Sequence, residues 1–93
     1  MTNDAIAKRL KAYAAELAQR GDNLYRIRAI RQAAFAVLSL PEPLEEVVAQ
    51  AGSAGVAARA GIGSHLAETL AEYTKTGEWK PHNRKKKEST PSP

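Results

Sequence analysis

The sequence predicts an all-α fold, a small bundle of four to five short helices, on three observations. The 93 residues include 18 alanines but only 4 valines, 4 isoleucines and 5 aromatic side chains, a composition that favours helix and leaves little material for strands. The larger apolar residues recur at steps of three and four, the period of a helix face. Glycine and proline punctuate the chain at intervals that suit helix ends. With no cysteine there is no disulfide framework to hold a different architecture together.

The elements follow in order. Ile6, Leu10, Tyr13 and Leu17 predict a helix over residues 4–20, with Asn3 or Asp4 as its cap and Gly21 as its stop. Asp22 or Asn23 caps the second helix, whose stripe of Leu24, Ile27, Ile30, Ala34, Val37 and Leu38 runs to Pro41. At about 100° per residue Arg31 falls inside that arc, with Arg26 and Arg28 at its margins. A buried Arg31 needs a carboxylate, and Glu42, Glu45 and Glu46 are the nearest candidates. Pro43 suits the first turn of a third helix that points Leu44, Val47, Val48 and Ala51 inward and stops at Gly52. Ser53 opens a short fourth helix through Ala60, and after Gly61-Ile62-Gly63 a fifth begins at Ser64, carries Leu66, Leu70 and Tyr73, and ends at Gly77. Residues 1–79 form the domain, and residues 80–93 read as a disordered basic tail.

Charge separates these two parts. The formal net charge is +4, yet residues 1–79 carry nine basic and nine acidic side chains, so the excess lies in Lys80 and Arg84 to Lys87 against Glu88. Within the neutral body, residues 8–31 hold seven basic groups against Glu16 and Asp22, which makes the N-terminal half electropositive. Two histidines 17 positions apart and no thiol make a poor metal site. No secretion signal opens the sequence and no apolar run approaches the ~20 residues of a membrane span. The expectation is a monomer that engages no membrane, located in the cytoplasm and on the nucleoid if the source is a prokaryote.

Two helices joined by Gly61-Ile62-Gly63 form a tight hairpin in which Ile62 turns inward and the glycines permit positive φ or close approach from outside. Backbone N–H groups and the positive end of the following helix make such a turn suited to an anion. A plain turn between helices has the same glycines, so the context decides. Ala57-Ala58-Arg59-Ala60-Gly61-Ile62-Gly63-Ser64-His65-Leu66-Ala67 resembles the helix-hairpin-helix motif of DNA-repair proteins. Asn23 to Ala34, Leu40-Pro41-Glu42-Pro43-Leu44-Glu45-Glu46, the hairpin and Thr76-Gly77-Glu78-Trp79 follow one another in an order that resembles the N-terminal, lyase-type domain of the family X DNA polymerases, over residues 3–80. A chain of 93 residues has no room for a polymerase, so the expectation is a free-standing copy of that module.

The resemblance implies binding at the 5′-phosphate side of a DNA gap, with the hairpin holding the backbone. It implies a monovalent cation, Na⁺ or K⁺, on the backbone carbonyls of Ala57, Arg59 and Ile62. Ala60 stands where the family often has proline. Tyr25 and Arg26 occupy phosphate-pocket positions, and His65 replaces a lysine there. The position of the family's Schiff-base lysine falls at Thr69, and that of an assisting tyrosine at Ile30. A hydroxyl cannot form an imine with a sugar aldehyde, so the lyase activity is expected to be absent. Lys75, six residues beyond Thr69, is turned by about 240° on the helix; Lys8 and Lys11 keep a displaced-lysine lyase open as an alternative.

The leading reading is a non-catalytic module that binds DNA without sequence preference through the hairpin residues Gly61, Ile62, Gly63, Ser64 and His65, with Tyr25, Arg26, Arg28 and the tail adding contacts. A link to DNA repair, and a protein partner in it, follow from the resemblance alone. A helical adaptor whose hairpin binds protein is the other alternative. His65 reads equally as a phosphate donor or an exposed polar residue, and Trp79 with Tyr73 as aromatics closing a small core ahead of a base-stacking role.

Overall fold

The computed structural model describes residues 1–81, and among these the chain is helical, with no strand. The elements are α1 (Asn3–Gln19), α2 (Leu24–Ser39), α3 (Leu44–Ala60) and α4 (Ser64–Thr76). The part of the predicted tail from residue 82 onward lies outside the described residues.

The N-cap of α1 is Thr2, whose hydroxyl oxygen accepts from the Ala5 N–H at 3.0 Å, so the expected caps Asn3 and Asp4 both lie inside the helix. Asn3 has a different task. Its amide nitrogen donates to the Glu42 carbonyl at 3.0 Å, and its oxygen accepts from the Leu44 N–H at 2.7 Å. One side chain thereby fastens the start of α1 to the connection between α2 and α3. Beyond Gln19 the chain reverses on Gly21, at φ 72°. The Gly21 N–H donates to the Ala18 carbonyl and the Asp22 N–H to the Leu17 carbonyl, closing the helix end. Asn23 then caps α2, its side-chain oxygen accepting from the Tyr25 and Arg26 N–H groups.

The α1 stripe is buried as expected, and Ala7, Ala14, Ala33 and Ala34 are buried with it. These methyl groups let α1 and α2 lie close together, which is how an alanine-rich chain builds a core from few large side chains. The stripe of α2 is narrower than predicted. Ile27, Ile30, Ala33, Ala34 and Val37 are buried, whereas Leu24 and Leu38 are exposed. The true arc centres on Ile30, and Arg31 lies beyond its Ile27 edge, exposed rather than laid along the core. Two of the carboxylates expected for it are engaged elsewhere, Glu42 with Arg59 and Glu45 with the N-terminal ammonium.

Pro43 is the N-cap of α3 rather than part of its first turn. The predicted break at Gly52 is present as a kink inside α3, at φ 65° and ψ −161°, a backbone region open essentially to glycine alone. The expected third and fourth helices are the two halves of α3. Leu44, Val47, Val48 and Val56 are buried, but Ala51, beside the kink, is exposed and not inward. α1 packs chiefly on α2 and α3 chiefly on α4, so the domain is two helical hairpins set side by side. Trp79 closes one side of the core, in keeping with the structural role expected of it. Its ring meets Tyr13 at 5.4 Å and Tyr73 at 5.2 Å, both edge-on, under the Arg9 guanidinium at 5.1 Å.

Candidate nucleic-acid interface

The hairpin between α3 and α4 is built by two glycines for two different reasons. Gly61 ends α3 in the left-handed conformation, φ 67° and ψ 39°, and both its N–H and that of Ile62 donate to the Ala57 carbonyl. A side chain at Gly61 would strain the turn. Gly63 has no such constraint: its backbone is extended, φ −68° and ψ 159°, and a Cβ built on it would meet no atom within 4 Å. Nothing among the described residues requires a glycine at 63. Its effect is outward, leaving backbone exposed where α4 begins. Ile62, between them, is half-buried against the core, the anchor expected of it.

Gly63 is the N-cap of α4 and brings no side-chain acceptor to the first turn, in contrast to Thr2 and Asn23 on α1 and α2. That turn contains no acidic residue either, so the positive end of the α4 dipole is not offset by a carboxylate of its own. Ser64 and His65 are exposed on it.

This end of α4 opens onto a cleft of about 540 Å³ between the two helical hairpins. Tyr13, Asn23, Tyr25, Arg26 and Ile30 line it from the α1–α2 side, and Ile62, Gly63, His65, Leu66 and Thr69 from the α3–α4 side. Segments roughly 40 residues apart in sequence therefore meet here. Arg26 is held on the wall by two groups: one Nη donates to the Tyr13 hydroxyl at 2.8 Å, and the other lies 3.4 Å from Asp22. Tyr25 stands at the rim, 81% exposed. Thr69 is buried, with its hydroxyl donating to the His65 carbonyl at 3.2 Å. The structure thus brings Tyr25 and Arg26 together with Ile62, Gly63, His65 and the Thr69 and Ile30 positions.

Other predicted residues lie apart. Arg28 is exposed on α2 and does not line the cleft, and the Arg59 side chain pairs with Glu42. Lys75 borders a separate depression with Glu72 and Ser53, and the Lys11 ammonium lies 5.9 Å from the Phe35 ring. Several residues of the cleft carry no signal of it in the sequence, where Asp22 and Asn23 read as caps and Leu66 as core. Tyr13 reads there only as a core aromatic, and nothing in its neighbours tells that its hydroxyl reaches Arg26 across the first turn. Pro81, read as tail, also lines the cleft.

Chemically, the cleft presents hydrogen-bond donors and the Arg26 guanidinium, with the Asp22 carboxylate beside it, against apolar walls of Ile30, Ile62 and Leu66. Among the described residues no three His, Cys, Asp or Glu side chains come together as a metal site. No helix among them is long and apolar enough to cross a membrane. The helix-hairpin-helix domain family matches the chain over residues 1–79, from the start of α1 through Trp79. The chain belongs to that family. No curated protein and no solved structure matches it. Helix-hairpin-helix domains are in general DNA-binding, and in this one the hairpin and the cleft occupy the same end of α4.

Proposed function

We propose that this helix-hairpin-helix domain binds DNA without sequence preference, by the phosphate backbone, at gaps or ends that carry a 5′-phosphate, and that it does so without catalysis in the service of DNA repair. The observation that carries the reading is the convergence of Tyr25, Arg26 and His65 with the bare Gly63 backbone on one cleft at the positive end of α4. A terminal phosphate there would accept from first-turn amides and from Arg26, whose 3.4 Å contact with Asp22 is long enough to yield to a stronger acceptor. The order of segments that resembles the polymerase X domain supports the 5′-phosphate and the repair setting.

For the lyase alternative a lysine would have to reach the cleft. Among the described residues lining it there is none, Lys8 is exposed on α1, and the Lys11 ammonium lies over the Phe35 ring. A Na⁺ or K⁺ ion at the hairpin would draw on the carbonyls of Arg59 and Ile62 more than on that of Ala57, which already accepts two N–H groups. It would add positive charge between backbone and phosphate.

The test is binding of the full chain to gapped 5′-phosphorylated, single-stranded and intact duplex DNA over a range of salt. Gapped 5′-phosphorylated DNA is expected to bind tightest. Removing residues 82–93, which include Arg84 to Lys87, is expected to leave binding in place. It should lower the slope of log K against log salt by ~0.9 for every duplex phosphate that the tail neutralises. Equal affinity for intact and gapped duplex would contradict the preference for gaps.

A further inference from the structure

Three of the large apolar side chains exposed on the domain lie on one line along α2. Leu24 is 73%, Phe35 64% and Leu38 42% exposed. Between them stand Arg28 and Arg31, also exposed, so positions 24, 28, 31, 35 and 38 follow one another at steps of four, three, four and three. That is heptad spacing. It confines the five side chains to an arc of about 80° and runs for ~21 Å, about four turns of helix. The arc lies on the far side of Ile27 from the buried stripe, and none of the described residues covers it. Single exposed apolar residues are ordinary, whereas here three share one line with two arginines in the 4-3 register by which a second helix packs, Leu24 at one end and Phe35 with Leu38 at the other.

We infer that this outer face of α2 is a docking site for an acidic amphipathic helix of a partner protein. The spacing specifies a helix as occupant, because a 4-3 seam presents knobs and holes to another helix. The charge specifies its chemistry. α2 contains three arginines and no acidic residue, and Lys11 of α1 adds a further cation beside Phe35. Two seam arginines facing an apolar helix would be left without partners on desolvation, so the matching helix needs leucine-like side chains for Leu24, Phe35 and Leu38 and carboxylates opposite Arg28 and Arg31. A second copy of this chain fails that requirement, since its own seam would bring two more arginines and no carboxylate. The inference is independent of the hairpin and its cleft, which Arg28, Arg31, Phe35 and Leu38 do not line.

The test uses the full chain, ¹⁵N-labelled, and a synthetic helix of about 18 residues with leucines at 4-3 spacing flanked by glutamates, beside a counterpart with lysines for the glutamates. Amide shifts on titration should map to α2, with the lysine peptide at least tenfold weaker. Phe35→Gln and Arg31→Gln, both at exposed positions, should each weaken the acidic peptide at least tenfold with unchanged helical circular dichroism. Phe35→Gln should also leave binding to gapped DNA unchanged, which keeps this result separate from the hairpin reading. No binding of the acidic peptide, or equal binding of the two, overturns the proposal. So does a loss of DNA affinity in Phe35→Gln, which would make the face a strand surface. A sedimenting dimer that Phe35→Gln dissociates would also overturn it, in favour of a second copy.

Discussion

Asn3 and Thr69 are single side chains with separate duties, one in holding the fold and one in the chemistry of the cleft. Asn3 makes two hydrogen bonds to backbone groups 39 and 41 residues away, and without it the Leu44 N–H would have no acceptor at a part-buried site. Asn3→Ala is expected to cost about 1–2 kcal/mol in chemical denaturation, above the cost of removing an exposed cap. The sequence offers Asn3 only as a local cap, because a residue's neighbours in the chain say nothing of a partner some 40 positions on. Thr69 occupies the expected nucleophile position and is buried at the cleft. Borohydride trapping on DNA with an abasic site should give no covalent adduct with the unaltered chain. Thr69→Lys should fold, since its long stem can extend into the cleft that Thr69 lines, and burial there would lower the amine pKa towards reactivity. A weak adduct is expected from this variant. Efficient trapping by the unaltered chain, mapped to one lysine, would overturn the non-catalytic reading.

At the scale of elements, the helix ends are the most legible feature of the sequence. Gly21, Gly61 and Gly77 all adopt positive φ where a helix stops, and Gly52 interrupts α3 at the predicted place. Glycine carries this information because few other residues tolerate those angles. Gly55 carries another kind, unread from sequence: a Cβ at this position would fall 2.3 Å from the Ala51 Cβ, because the kink folds one half of α3 towards the other. Gly55→Ala would ordinarily stabilise a helix by ~1 kcal/mol, and here it is expected to destabilise, read as a lower thermal midpoint. A higher midpoint would contradict the kink geometry. The faces of helices are less legible than their ends. Apolar periodicity assigns Leu24, Leu38 and Arg31 to the α2 core, because it cannot distinguish a side chain that covers its own core from one that waits for another protein.

For the whole molecule, the pairing of two helical hairpins determines the site. Residues around Tyr25 and residues around Gly63 share a site only because α1–α2 and α3–α4 meet along one cleft. Resemblance to a known module points to most of these residues in the sequence, yet neither periodicity nor charge could bring them together. The Tyr13 hydroxyl that positions Arg26 emerges only from the packed structure. DNA phosphates are proposed to approach the bare backbone at Gly63, and this position allows an unusually clean experiment. Its backbone is one that any residue adopts and its Cβ direction is open, so Gly63→Val should fold with unchanged helicity, the poorer N-cap costing about 1 kcal/mol at most. The decisive measurement is the affinity of that variant for gapped 5′-phosphorylated DNA beside the unaltered chain at the same salt. Affinity should fall at least tenfold, as the valine side chain holds phosphate away from the α4 amides; unchanged affinity in a folded Gly63→Val protein would contradict phosphate binding at the hairpin.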